Sequence, residues 1–126
     1  MEEKKIICIV EDNKPIRKLF CTLLAKAGFS TIDFENGRSA LEWIKNNTPV
    51  CVLLDILLPD INGTELLTLI RELPNGKKIP IISVTGLAQS DDKKSFLDLG
   101  FEMYISKPVN TSTFAEEVQK VIGQKE

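Results

Sequence analysis

A chain of 126 residues, 43% hydrophobic and 27% charged, has the length of one domain and is short for two. At this length roughly two-thirds of the unfolded chain's surface can be buried, so no disulfide or metal staple is required. Sixteen basic residues against 18 acidic ones leave a net charge of −2, which gives no electrostatic footprint for nucleic acid or an anionic membrane. The chain has no histidine, which excludes Ser-His and Cys-His nucleophilic pairs, imidazole bases and most zinc sites.

In chain order, five short apolar runs alternate with five helix-like segments. The first run is Ile6–Val10, five apolar residues after a charged start. That is too short for a signal peptide's apolar region or a membrane span, so the sequence predicts a soluble, cytoplasmic protein. The first helix carries Ile16, Leu19, Phe20, Leu23, Leu24 and Ala27 at the spacing of one apolar face. Asn13 and Pro15 suit its start and Gly28 its end. A second run covers Thr31–Phe34. A helix after Gly37 follows, with Ala40, Leu41 and Ile44 inward and Trp43 packing beside them. The third run, Val50–Leu54, leads to a helix from about Gly63 with Leu66, Leu67, Ile70 and Leu73 on its buried side. Pro74-Asn75-Gly76 is a strong stop.

The fourth run is Ile79–Val84. The fourth predicted helix, about Ser90 to Leu99, has few apolar anchors beyond Phe96 and Leu97 and should be the least firmly held. Met103–Ile105 is the fifth run. A last helix from about Thr111 buries Phe114, Val118, Val121 and Ile122. Several runs are almost pure Ile, Val, Leu and Cys, as strands buried on both faces of a parallel sheet are. Alternation of this kind implies right-handed crossovers and a doubly wound α/β sheet with helices on both faces, built as a single domain over 1–126. The three cysteines, Cys8, Cys21 and Cys51, lie in apolar segments with no metal-ligand spacing and read as small core side chains.

Open α/β sheets bind ligands beyond the carboxyl ends of their strands. There the sequence places Glu11-Asp12, Asp55, Thr85-Gly86 and Lys107-Pro108. Three carboxylates in one pocket resist joint ionisation, and a hard divalent cation with oxygen ligands relieves the repulsion. Mg²⁺ or Mn²⁺ suits such a set, and Lys107 supplies a point charge for a phosphoryl oxygen. Thr85 supplies a hydroxyl, and Gly86 room for backbone to approach an anion. With the metal the formal charges of Glu11, Asp12, Asp55 and Lys107 balance. Without it the excess negative charge repels phosphate, so the chemistry should depend on the metal.

Ile9-Val10-Glu11-Asp12-Asn13, Leu53 to Gly63, Pro80 to Gly86 and Tyr104 to Pro108 resemble the signature segments of response-regulator receivers, and the likeness covers nearly the whole chain. The resemblance implies a flavodoxin-like (βα)5 three-layer sandwich with strand order 2-1-3-4-5. It implies that Asp55 accepts a phosphoryl group from the phosphohistidine of a sensor histidine kinase or phosphotransfer protein. Asp12 would bind Mg²⁺ directly, Glu11 would support it, and Leu57 would add its backbone carbonyl. Lys107 and Thr85 would hold phosphoryl oxygens, and the Lys107-Pro108 bond would be cis. Thr85 and Tyr104 would then switch the face made by the fourth helix, fifth strand and fifth helix. That face would signal to an output domain or partner, as a monomer or a phosphorylation-promoted dimer. Such a chain is no enzyme beyond its own phosphorylation and dephosphorylation.

The sequence departs from the pattern at Leu99-Gly100-Phe101, where receivers usually carry small residues around the glycine, and mildly at Leu58. Leu57 and Leu87, two positions after Asp55 and Thr85, are apolar and cannot orient a hydrolytic water, which predicts slow self-dephosphorylation. Other readings compete. An aspartyl phosphatase would want a second acid where Leu57 stands, and flavin binding would set a phosphate against Glu11-Asp12. A docking module that scarcely turns over has the same fold.

Overall fold

The computed structural model describes residues 5–86 and 100–125. Five parallel strands, β1 (Ile6–Val10), β2 (Ser30–Phe34), β3 (Cys51–Leu54), β4 (Ile81–Thr85) and β5 (Met103–Ser106), lie in the order β2-β1-β3-β4-β5. Helices α1 (Lys14–Lys26), α2 (Gly37–Asn46), α3 (Gly63–Glu72) and α4 (Phe114–Lys125) cover its two faces. Here α4 is the last helix expected from the sequence. The predicted fourth helix, with Phe96 and Leu97, and residues Leu87 and Leu99 lie outside the described residues.

Strand faces alternate, so each central strand feeds two cores. Cys8, Val10, Val52, Leu54 and Ile81 pack under α2 and α3, whereas Ile7, Ile9, Cys51, Leu53 and Ile82 pack under α1 and α4. Phe20 of α1 stacks on Phe114 of α4, ring centroids 4.9 Å apart, and joins the two helices of the second layer. Trp43 is half-buried and tilts against Phe34 at 6.2 Å, a packing role as expected. Both Cys8 and Cys51 are buried, and burial pushes their thiols far above the ordinary range.

Helix starts follow the local chemistry. Asn13, Asn36 and Asn62 each cap the helix that follows by accepting a backbone N–H from its first turn. Two expectations shift. The fourth strand begins at Ile81, after Pro80, whose carbonyl accepts the Val52 N–H at 2.9 Å. The last helix begins at Phe114, after a turn over 111–113. A third is corrected: Leu19, placed by periodicity on the buried stripe of α1, is 39% exposed, and Ala27 is exposed as well. The sheet accommodates a narrower stripe, met by Phe20 and Leu24. Bulky Phe101 is buried in the core beneath α3, so its volume is absorbed there. Among the described residues no helix is long and apolar enough to cross a membrane.

Candidate functional site

The hydrogen-bond ladders run one residue past the strands and thereby position the site. Beyond β1, Glu11 N–H donates to the Phe34 carbonyl at 3.0 Å. Beyond β3, Asp55 N–H donates to the Val10 carbonyl at 3.1 Å, and beyond β5, Lys107 N–H donates to the Thr85 carbonyl at 3.0 Å. Residues up to 96 positions apart in sequence are thus fixed side by side at one sheet edge.

Glu11, Asp12 and Asp55 each bring a carboxylate oxygen within 4.8 Å of the others. Glu11 is 2% exposed, Asp55 is buried and Asp12 faces solvent. The Lys107 ammonium reaches in from the far side, 2.9 Å from Asp55 Oδ2 and paired with Glu11 Oε1. Glu11 Oε2 accepts the Asn13 N–H at 3.1 Å, and Asp55 Oδ1 accepts the Leu57 N–H at 3.1 Å. Burial pushes the Glu11 carboxyl above its ordinary range, and the neighbouring Asp55 adds to this while Lys107 opposes it. For Lys107, burial works against the charged form, but Glu11 and Asp55 outweigh it and hold the ammonium above its ordinary range. Burying such a charge costs several kcal/mol. At about 2 kcal/mol for each fully buried Ile, Val or Leu, the three central strands outweigh that cost.

The donor set fits a small hard cation. Three carboxylates, all of them hard oxygen donors, converge on one point with a single lysine to offset them. Gly63 closes the floor: a Cβ there would lie 2.6 Å from the Asp55 carbonyl oxygen and 2.7 Å from Leu54 Cδ1. Only glycine lets α3 start so close to the acidic strand end.

A family model for the response regulator receiver domain matches residues 7–119. The chain belongs to the response-regulator receiver family. The polar-differentiation response regulator DivK of Brucella anthropi is 35% identical over 119 residues, covering 94% of this chain and 97% of that protein. A CheY-like receiver domain protein of Methanospirillum hungatei superimposes with a TM-score of 0.88 at 30% identity, covering 98% of this chain and 97% of that one. The receiver domain of a Pseudomonas aeruginosa sensor histidine kinase superimposes at 0.86 with 26% identity, covering 96% and 99%. Its structure holds a magnesium ion in the active site cleft. This receiver presents an acidic cluster of its own in Glu11, Asp12 and Asp55.

Of the residues singled out in the sequence, Glu11, Asp12, Asp55 and Lys107 come together directly. Thr85 ends β4 fully buried, and Tyr104 is half-buried against the α3-side core, its Cα paired with Ser83. The Lys107-Pro108 bond is cis. Leu57 is 58% exposed at the rim beside Asp55. The sequence reading missed Arg17. Its Nη1 donates to the Glu11 carbonyl at 2.8 Å and its Nε to Asp33 Oδ2 at 2.8 Å, which ties α1 to the acidic turn and to β2. It missed Asp60 as well, which bonds to α2. Neither pairing has a local sequence signal, because each partner is brought close by the sheet order.

Proposed function

We propose that this receiver takes a phosphoryl group onto Asp55 from a phosphohistidine and that the modification switches a protein-binding face. The carrying observation is the convergence of Lys107 on both Asp55 and Glu11 within a three-carboxylate cluster. In the step, an Asp55 carboxylate oxygen forms the O–P bond while the donor's P–N bond breaks and its electron pair stays on the imidazole nitrogen. Lys107 holds a phosphoryl oxygen and offsets the charge that gathers there. Glu11 and Asp12, with Asp55 and the Leu57 carbonyl, would hold Mg²⁺ or Mn²⁺. When bound, the metal supplies the positive charge that lets a phosphate approach this acidic edge.

Thr85 supplies the hydroxyl that draws toward the phosphoryl group, and Tyr104 turns inward with it. The face around β5 and α4, with the predicted fourth helix, is then read by an output domain or partner, with monomer and phosphorylation-promoted dimer both open to it. This is a population shift whose size is set by the difference in phosphoryl contacts between two states. The chain acts on itself and turns over no separate substrate. Its partners are a sensor histidine kinase or phosphotransfer protein and a downstream protein in the cytoplasm, with no direct contact to nucleic acid.

The test is intact mass after acetyl phosphate and tryptophan fluorescence after beryllofluoride, each with and without Mg²⁺, on wild type and Asp55→Asn. A metal-dependent gain of one phosphoryl mass, absent from the variant, is expected. No labelling and no beryllofluoride response in wild type would overturn the reading and leave a docking module.

A further inference from the structure

The loop over 56–62 joins β3 to α3 and carries the Leu57 main chain. Its ends, Ile56 and Ile61, are buried, and Gly63 N–H donates to the Ile56 carbonyl at 2.8 Å. Its outer residues Leu57, Pro59 and Asp60 are exposed, whereas Leu58 is half-buried against the α2–α3 core and a β-bridge pairs Leu57 with Asn62, so apolar burial holds the loop at Leu58 and not at Asp60. The Asp60 carboxylate instead reaches another element. Oδ1 accepts the Gly37 N–H and Oδ2 the Arg38 N–H, both at 2.9 Å, across 23 and 22 residues of sequence. Burial disfavours the charged form, yet these two amides outweigh it and hold the carboxyl below its ordinary range.

The loop and α2 are in close contact at the same point. A Cβ on Gly37 would lie 2.3 Å from Ile61 Cγ2, so the helix start is pressed against the loop. α2 already has a local cap, since Asn36 Oδ1 accepts the Ser39 N–H at 2.9 Å. Two first-turn donors of α2 are therefore given to a carboxylate from the acidic loop, where water could have met them. The helix gains little that water could not supply, whereas the loop gains a fixed point three residues from Leu57.

We infer that Asp60 is a positioning residue: by clamping the loop to the first turn of α2 it keeps the Leu57 main chain in place beside Asp55 for metal and phosphoryl binding. The inference rests on the reading of Asp55 and Mg²⁺ above. Residues that orient ligands without touching the metal commonly change affinity tenfold or more.

The experiment compares Asp60→Ala with Asn36→Ala, each of which removes a cap from the same helix end while only the first frees the loop. Amide NMR follows Leu57 and Gly37 during an Mg²⁺ titration and during hydrogen exchange in metal-free protein. Asp60→Ala should weaken the Mg²⁺ midpoint about tenfold and speed Leu57 exchange. Asp60→Asn, which keeps one acceptor oxygen, should recover part of both, and Asn36→Ala should change neither. Unchanged midpoint and exchange in Asp60→Ala, or equal changes in Asn36→Ala, would overturn the inference. A wild type that ignores Mg²⁺ would overturn the functional reading itself. The metal-free exchange arm then still decides whether Asp60 fixes the loop.

Discussion

The two edges of the sheet gather charged side chains in opposite ways. At the amino edge, Arg71 of α3 meets Glu102 ahead of β5 at 2.9 Å, with both side chains mostly buried. Arg71 also donates to the carbonyls of Gly76, Ile79 and Gly100 at 2.6 to 3.0 Å, and Glu102 Oε2 accepts the Ile81 N–H at 2.7 Å. Charges there cancel and the donors find acceptors. Nearby, Asn75 closes the end of α2 by donating to the Ile44 carbonyl and Thr48 Oγ1, both at 3.0 Å. At the carboxyl edge, three carboxylates face one lysine, and burial holds Glu11 above its ordinary range. A cluster that satisfies itself stabilises the fold. One left with excess charge keeps its free energy for a ligand.

Substitutions at the two edges should therefore separate stability from chemistry. The largest effect belongs to Asp55→Asn, which should abolish labelling by acetyl phosphate. Its unfolding free energy, from denaturant titration, should stay within about 1 kcal/mol of wild type, because Lys107 keeps Glu11 as a partner. Arg71→Ala should do the reverse. It removes the guanidinium from beside Glu102 and takes the Arg71 donors away from three carbonyls, so denaturant unfolding should show a loss of about 2–4 kcal/mol. At temperatures where that variant is folded its labelling should match wild type. Loss of labelling in folded Arg71→Ala would mean that the two edges are coupled.

A smaller effect is expected at the rim. Leu57 is exposed beside Asp55 and has no group to orient water, so Leu57→Asn should shorten the phosphorylated lifetime by about tenfold, followed by loss of phosphoryl mass. The smallest concerns acid stability. The folded-state pKa of Asp60 lies below its ordinary value of 3.8. Its contribution is thus present above that pH and is lost as pH falls through the lower folded value. The stability curves of wild type and Asp60→Ala should differ at neutral pH and converge in acid. A constant gap would show that the Gly37 and Arg38 amides do not favour the charged carboxylate.

Much of this was legible before the structure. The runs Val50–Leu54 and Ile79–Val84 read as buried strands because a parallel sheet covered on both faces demands continuous apolar runs, and strands form there at Cys51–Leu54 and Ile81–Thr85. Glu11, Asp12, Asp55 and Lys107 stood out because each follows a strand at the edge where such sheets bind ligands. Leu19 was misplaced because helical periodicity assigns a face without revealing how wide a strip the sheet covers. The Arg71–Glu102 clamp and the Arg17 and Asp60 contacts left no trace, since their partners are 31, 6, 16, 22 and 23 residues away along an unremarkable sequence.

By itself the sequence determined the alternation of strand and helix, the apolar composition of the central strands and the identity of the acids and lysine at their ends. These follow from local pattern, where period and burial suffice. Only the tertiary structure decided which oxygen each cation faces, how deeply Glu11 is buried, and that Asp60 ties the acidic loop to α2. Such contacts depend on strand order and register. Those are set by the packing of the whole sheet and have no local signature in the chain.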